Sequence, residues 1–453
     1  MAKMHIGIDD TDSTRMGCTT HVAALIVQKL CELGVSFIDY PNLIRLNPNV
    51  PWKTRGNGAL CLRTNCRENL VDSIKEITIK MVADYSDLAF EGTEPGIVFF
   101  FGAVPEDVEK FAKNAIQGLV SMDEALKLAK SFEAETVGFK DGRGIIGGMA
   151  AIGEKLKGDH TYELIAYRTI ENRGTPRRID AKSVFFMDER TRPLTFSNID
   201  PETGRILITP RGPDPVLYGV RGENPEIVRY AHGLIHSDEP IERWIIFRAN
   251  HGTDAHLRMV ESIKEVKPYK PVIVRGTVAK EPRVIPGGHV IFSIQDQSGQ
   301  MDCAAYEPTG RLRDVVKMLR AGDVVEAMGG VRPFSSRNPI TINLEKVHVV
   351  KLVPDIVFRN PLCRNCGKRM ESMGRDKGFR CERCGLRAPR LEKLVSEVER
   401  PLKPGLYITP PRSQRHLTKP FSRYGLEKEG TNEFNEKAVP HHLFSSYVGT
   451  SVN

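Results

Sequence analysis

The sequence holds no long apolar run. No stretch approaches the about 18 residues that a membrane-spanning helix needs, and the mean hydropathy is −0.30. Its opening, MAKMHIGIDD, has no apolar signal region. A cytoplasmic protein with no membrane association is therefore expected. A disulfide framework is missing too. Of nine cysteines, four cluster towards the C-terminus and five (Cys18, Cys31, Cys61, Cys66 and Cys303) are scattered. That scatter fits a reduced compartment. There are no internal repeats. The pattern G-x-x-x-x-G-K-[ST] does not occur, which excludes a P-loop enzyme.

At 453 residues the chain is too long for one ordinary core, and three to five domains are expected at about 50–200 residues each. The net charge is +8, and it is focused. Arg359 to Arg390 carries ten Lys/Arg against three acids. Such a focus points to a polyanion, most often nucleic acid. A solvated basic surface is the competing reading.

The first region, about 1–155, alternates strands and helices and reads as α/β or α+β. A helix is expected over TTHVAALIVQKLCELG, ended by Gly34, and another over ENLVDSIKEITIKMV. Helix is also expected from Pro105 to Lys130, ahead of the Gly-rich FKDGRGIIGGMAAIG. Residues 156–262 read as a small α+β sandwich. In residues 268–352, period-two strands come as three, a helix, then two, the order of an OB-fold barrel. Within 358–390, Cys363, Cys366, Cys381 and Cys384 form C-x2-C-x14-C-x2-C, with Gly367 and Gly385 closing the knuckles. That spacing is a structural Zn²⁺ ribbon. Residues 391–453 read as a short helical stretch, a basic Pro-rich segment and a tail from Leu426 that is expected to be flexible.

The opening motif HIGIDDTDSTRMGCTT ends an apolar strand on Asp9, Asp10 and Asp12. It lacks the central Gly and distant Glu of a calcium loop. It also lacks the later Gly-Asp-x-x-x-Asp pair of phosphatases that begin with Asp-x-Asp. Hard oxygen ligands beside phosphates suit Mg²⁺, so an ATP site accounts for more residues. Thr19 and Thr20 stand where a helix begins, where an anion is favoured. A plain helix cap is the competing reading for Thr19, and a capped turn for the aspartates. KTRGNGA (Lys53 to Ala59) and DGRGIIGGMA (Asp141 to Ala150) offer glycine N–H groups and basic side chains to phosphates.

GIDDTDSTRMGCTTH, RLNPNVPWKTRGNGA, ELIAYR, PVLYGVRGE, GGHVIF, CAAYEPTG and the paired C-x2-C motifs occur in this order. Together they resemble the archaeal 2-agmatinylcytidine synthetases, over about residues 4–423. The resemblance implies a multidomain α+β chain: an atypical kinase-like α/β domain, a ferredoxin-like domain, an OB-fold and a zinc ribbon. It implies an ATP-dependent ligase that joins agmatine to C2 of the wobble cytidine in the CAU anticodon of the AUA-decoding isoleucine tRNA, with ATP cleaved to AMP and pyrophosphate. It implies that Thr19 becomes autophosphorylated and that Asp9, Asp10 and Asp12 hold Mg–ATP. Lys53, Arg55, Gly56, Asn57, Gly144, Gly147 and Gly148 are expected around the phosphates. Trp52 and Arg55 are candidates for holding a flipped cytidine. Agmatine is a dication, and Tyr218, Arg221, Gly222, Glu223 and Asp254, with His251 and His256 nearby, are its candidate pocket. A helix cap with local hydrogen bonds competes for Asp254 and the histidines. Two other functions compete: a non-enzymatic single-strand-binding protein, and a kinase or phosphatase with another substrate. The acid triplet beside Thr19 argues against the first, because binding alone does not require it.

Overall fold

A computed structural model describes residues 1–336, 339–429 and 444–446. The chain begins β1 (Ala2–Asp9), α1 (Thr19–Glu32), β2 (Ser36–Phe37), β3 (Asn42–Arg45), β4 (Gly58–Cys66) and α2 (Val71–Tyr85). It continues β5 (Gly96–Phe101), α3 (Glu106–Gln117), α4 (Met122–Ser131), β6 (Glu135–Gly138) and α5 (Gly144–Gly153). The single helix expected from Pro105 to Lys130 is two, because Ser121 and Glu124 form a capping box that starts a new one. The Gly-rich DGRGIIGGMA is no loop beyond Gly144. It is a buried helix.

Next come β7 (Thr161–Arg168), α6 (Ala181–Thr191), β8 (Thr195–Phe196), β9 (Val216–Gly222), α7 (Pro225–Leu234) and β10 (Ile241–Ala249). Their strand order, β10-β7-β9-β8, is that of a ferredoxin-like unit. The two regions share one sheet, in the order β6-β5-β1-β4-β3-β10-β7-β9-β8. The joint is a short parallel pairing of β3 and β10, Arg248 with Asn42 and Ala249 with Leu43.

The barrel follows: β11 (Arg258–Val260), β12 (Val272–Val278), β13 (Arg283–Ile285), β14 (His289–Asp296), β15 (Gly299–Ala305), α8 (Arg311–Lys317), β16 (Val324–Arg332) and β17 (Thr341–Lys351). Pairing of β12 with both β16 and β14 closes it. This is an OB-fold, filled by Val274, Phe292, Ile294, Val325 and Val347. Beyond it β18 (Asp355–Arg359) leads to the ribbon strands β19 (Glu371–Ser372), β20 (Phe379–Arg380) and β21 (Arg387–Ala388). The short helix expected after Arg390 is a strand, β22 (Leu394–Val398), antiparallel to β18. The β-branched Val395 and Val398 suit that pairing.

The chain then returns to the barrel as β23 (Gly405–Ile408), paired with β17. From Thr409 to Lys428 it forms a strap across the ferredoxin-like unit. Arg412 pairs with Asp200 and Glu202, and Arg423 with Glu223 and Asp159. The expectation of a flexible tail from Leu426 falls largely outside the described residues. Within it, β24 (Phe444–Ser446) pairs with β10.

Candidate active site

Strand β1 alternates between two environments. Met4, Ile6 and Ile8 join a core with Val22, Ile26 and Ile74. Gly7 and Asp9 face α5, whose glycines let backbone meet backbone. A Cβ on Gly7 would overlap the Gly148 carbonyl, one on Gly144 the Asp9 carbonyl, and one on Gly147 the Asp9 carboxylate. Gly144 and Gly148 therefore seat the helix on the strand and do not line the cavity beside it. Gly147 does line it. Asp10 then turns the chain with φ of 61°, and its carboxylate accepts from Arg143 Nη2 at 2.7 Å.

The acids form one wall of a cavity of about 360 Å³, where Asp9, Asp10, Asp12, Thr19, Trp52, Lys53, Arg55, Gly56, Asn57, Gly147 and Arg221 meet. Burial, followed by the neighbouring Asp10, pushes the Asp9 carboxyl up to about 8. Burial pushes Asp12 up to about 6, against the pull of Arg55. Carboxylates so crowded keep their charge only beside a cation. The set of hard oxygens thus fits Mg²⁺.

Arg55 fixes the loop after the acids. It lies 3.2 Å from Asp12 Oδ2 and donates to the carbonyls of Ser13, Met16 and Gly17. The same guanidinium reaches Asp214 Oδ2 at 3.3 Å. Helix α1 opens into the cavity. Its N-cap is Cys18, whose side chain makes no capping bond. Thr19 is the first helical residue, 6% exposed, and its hydroxyl accepts from Thr11 Oγ1 at 3.0 Å. The cap reading of Thr19 therefore fails, and its hydroxyl is not committed to the helix.

The opposite wall holds Arg221, one of the residues expected to bind substrate, with Glu163, Arg45 and His416, none of which had a role read from the sequence. Arg221 Nε donates to Glu163 Oε1 at 3.0 Å, and its Nη2 to His416 Nδ1 at 2.8 Å. Arg45 Nε donates to His251 Nε2 at 2.7 Å behind them. Burial alone would raise Glu163, but Arg221, His251 and Arg45 outweigh it and hold the carboxyl well below its ordinary value. The glycines of KTRGNGA make room for this cluster. A Cβ on Gly56 would sit 2.7 Å from His416 Nε2, and one on Gly58 2.7 Å from Arg45 Nη1.

Several expected ligand residues lie elsewhere. Tyr218 is buried with its hydroxyl 2.6 Å from His232 Nδ1. Gly222 packs against Ile227 and Val228 of α7. Glu223 is taken by Arg423 and Lys428 of the strap. Asp254 binds Lys346 of the barrel and the backbone N–H of Lys419, and His256 meets Glu345 at 3.1 Å. Glu223, Asp254 and His256 tie the ferredoxin-like unit to the strap and the barrel, while Tyr218 and Gly222 pack inside that unit. Polar residues close in sequence to a pocket strand carried no signal of which way they point.

The four ribbon thiols lie within 4.8 Å of one another, with Cys363 and Cys384 at 3.5 Å and Cys366 and Cys381 at 3.4 Å. Thiolates at tetrahedral corners about 2.3 Å from zinc stand about 3.8 Å apart, so the set fits Zn²⁺. Gly367 and Gly385 take the positive φ the knuckles need, 71° and 73°. All ten Lys/Arg of the 359–390 stretch are exposed.

The combination sets the class. A binding module needs no acid-walled cavity, and a free kinase needs neither an OB barrel nor a basic ribbon, so this is an enzyme that modifies nucleic acid. The chain is 43% identical over 451 residues to TiaS of Staphylothermus marinus, the 2-agmatinylcytidine synthetase of the isoleucine-2 tRNA, covering 96% of each chain. It belongs to the tRNA 2-agmatinylcytidine synthetase (TiaS) family. The relative from Pyrococcus horikoshii is 43% identical, with 92% of this chain and 96% of that one covered. Family descriptions agree: TiaS TCKD domain over residues 5–141, TiaS FLD domain over 142–256, OB-fold nucleic acid binding domain over 272–350 and TiaS C-terminal zinc ribbon domain over 360–402. The crystal structure of apo TiaS is similar at TM-score 0.82 and 41% identity, over 95% of this chain and all of that one. That of TiaS in complex with the isoleucine-2 tRNA and ATP is similar at TM-score 0.82 and 40% identity, over 96% and all. That of TiaS with the same tRNA, AMPCPP and agmatine matches at 0.80 and 38%, with the same coverage.

Proposed function

We propose that this protein is an ATP-dependent ligase that joins agmatine to C2 of the wobble cytidine in the CAU anticodon of the AUA-decoding isoleucine tRNA. The product, 2-agmatinylcytidine, converts an AUG-reading anticodon into an AUA reader. Near-full-length 43% identity to a synthetase of this reaction carries the assignment. The protein works in the cytoplasm, where its unpaired thiols stay reduced. Among the described residues no helix is long and apolar enough to cross a membrane.

The C2 oxygen of cytosine is a poor leaving group. Transfer to it of a phosphoryl group from the pyrophosphate that ATP gives up on going to AMP makes it a good one, and the other phosphate is released. The agmatine amine then forms its bond to C2 as the C2–O bond breaks, phosphate departs and the amine gives up a proton. Asp9, Asp10 and Asp12 hold the Mg²⁺ of Mg–ATP, and that ion supplies neutralisation of phosphate charge when bound. Lys53, Arg55, Gly56, Asn57 and Gly147 surround the phosphates. Thr19, whose hydroxyl at a helix N-terminus accepts from Thr11 and caps nothing, accepts a phosphoryl group in the autophosphorylation. Asp214, which lines the cavity, is the carboxylate placed for the agmatine cation, in place of Glu223 and Asp254. Trp52, half exposed at the cavity mouth, is placed to stack on the flipped base. The barrel and ribbon grip the tRNA through backbone charge and shape. The regions expected at 1–155 and 156–262 act as one body, because one sheet runs through both.

The test is incubation with γ-labelled ATP, Mg²⁺, agmatine and a transcript of the isoleucine tRNA, for wild type and Thr19→Ala. Wild type should form agmatine-bearing cytidine and AMP and carry label. Thr19→Ala should lose label and product together. Product from an unlabelled mutant would reduce Thr19 to a structural role. RNA binding without product would overturn the ligase reading.

A further inference from the structure

Resting on that function, we propose that His416 is a positioning residue of the catalytic cavity: it fixes the Arg221 guanidinium from the C-terminal strap, so the site is complete only when the strap is docked.

Two nitrogens of Arg221 are held by acceptors from two different parts of the chain, Nε by Glu163 on β7 and Nη2 by His416 on the strap. A planar group held at two points keeps one orientation. Without the second point, Arg221 pivots about its bond to Glu163. Acceptance at His416 Nδ1 leaves the ring proton on Nε2. Burial, with Arg45 and Arg221 beside it, keeps the imidazole neutral, so the Nδ1 lone pair is always present.

The ring is itself fixed. It stacks on His251 with centroids 5.5 Å apart and planes 28° apart. The backbone carbonyl of His416 accepts from Gly252 N at 2.8 Å. The space the ring fills exists because residue 56 is glycine. Arg221 lines the same cavity as Asp9, Asp10 and Asp12, where the phosphates of Mg–ATP are proposed to bind. The ligand it orients is therefore an anion, a phosphoryl oxygen in transfer.

The strap reaches this point from the tRNA-binding half. It leaves the barrel at β23. Ser413 bonds the Pro308 carbonyl and Thr418 bonds Glu345 at 2.6 Å, both in the barrel. Arg412 and Arg423 bond the ferredoxin-like unit on either side. His416 sits between these anchors, so the position of the barrel is written into the cavity wall.

Three variants of the full chain test this: His416→Ala, His416→Asn and His416→Gln. Asn places its amide oxygen near the position of Nδ1, and Gln places its terminal group near Nε2. Turnover with the isoleucine tRNA and agmatine, phosphate transfer from ATP, tRNA affinity and melting temperature are measured for each. Ala should lower kcat at least ~10-fold, in keeping with the cost of a misplaced group, with tRNA affinity unchanged. Asn should recover most of the loss, and Gln should not. Equal rescue by Asn and Gln, or an Ala loss matched by loss of tRNA affinity or folding, would overturn the proposal. If wild type makes no agmatinylcytidine, the ligase reading falls, and the same variant order in phosphate transfer still decides the role of His416.

Discussion

Residues 1–256 bury charged side chains in matched pairs. Arg168 and Glu239 meet at 2.8 Å with almost no exposure, and Arg248 lies 3.2 Å from Asp39. Residues 360–390 do the reverse. Their core is Cys363, Met370, Phe379 and Cys381, and every Lys/Arg faces water. One region can place polar groups deep because a broad sheet and its helices surround them. The other has too small a core to hold itself, so a metal holds it and its surface is left free for charge. Chemistry that needs a dry, exact arrangement and recognition that needs exposed charge call for opposite kinds of scaffold.

The sharpest way to break this contrast is to remove the metal. Structural zinc contributes about 10–16 kcal/mol of apparent folding free energy in small zinc domains. A strong chelator should therefore unfold the ribbon and abolish tight tRNA binding, while labelling by γ-labelled ATP persists. Loss of both together would show that the two regions are one cooperative unit. A smaller effect comes from the buried pairs. Glu239→Ala leaves Arg168 buried without its partner and should cost about 3–5 kcal/mol, read from the denaturant midpoint. A cost near zero would mean that the front half tolerates buried charge as the ribbon tolerates exposed charge.

The smallest effect is a pH dependence. Arg15 donates to Asp87 at 2.7 Å and holds its carboxyl down to about 2. A depressed acid stabilises the fold above its unfolded value near 3.8, and that gain is lost as pH falls towards 2. Because Arg15 is more than half exposed, solvent screens the pair and the gain is small. The stability deficit of Asp87→Asn against wild type should hold at pH 7 and shrink below about pH 4. A deficit that grows with acid would assign Asp87 another partner.

What could be read from the sequence was local. The acid triplet, the cysteine spacing and the alternation of the barrel strands each sit within a few tens of residues, where one periodicity or one ligand geometry decides. The glycines of DGRGIIGGMA were visible as glycines, but their use was not. Close packing of a helix on a strand and a phosphate loop ask for the same residue. Asp214 and His416 were missed because they reach the cavity from separate segments and carry no motif, and Glu163 because ELIAYR marks a strand without giving its acid a role. Glu223 and Asp254 were drawn in because they are acidic and near pocket strands. Their true partners, Arg423 and Lys346, lie 200 and 92 positions away in the chain.

The strap also orders events during synthesis. A chain is made from its N-terminus, so the acid wall, the ferredoxin-like unit, the barrel and the ribbon all leave the ribosome before His416 does. A truncated or still-tethered chain would carry the ATP-facing half without the closing wall. His416 follows every other residue lining the cavity in the sequence, so the wall it completes is the last part of the site to be synthesised.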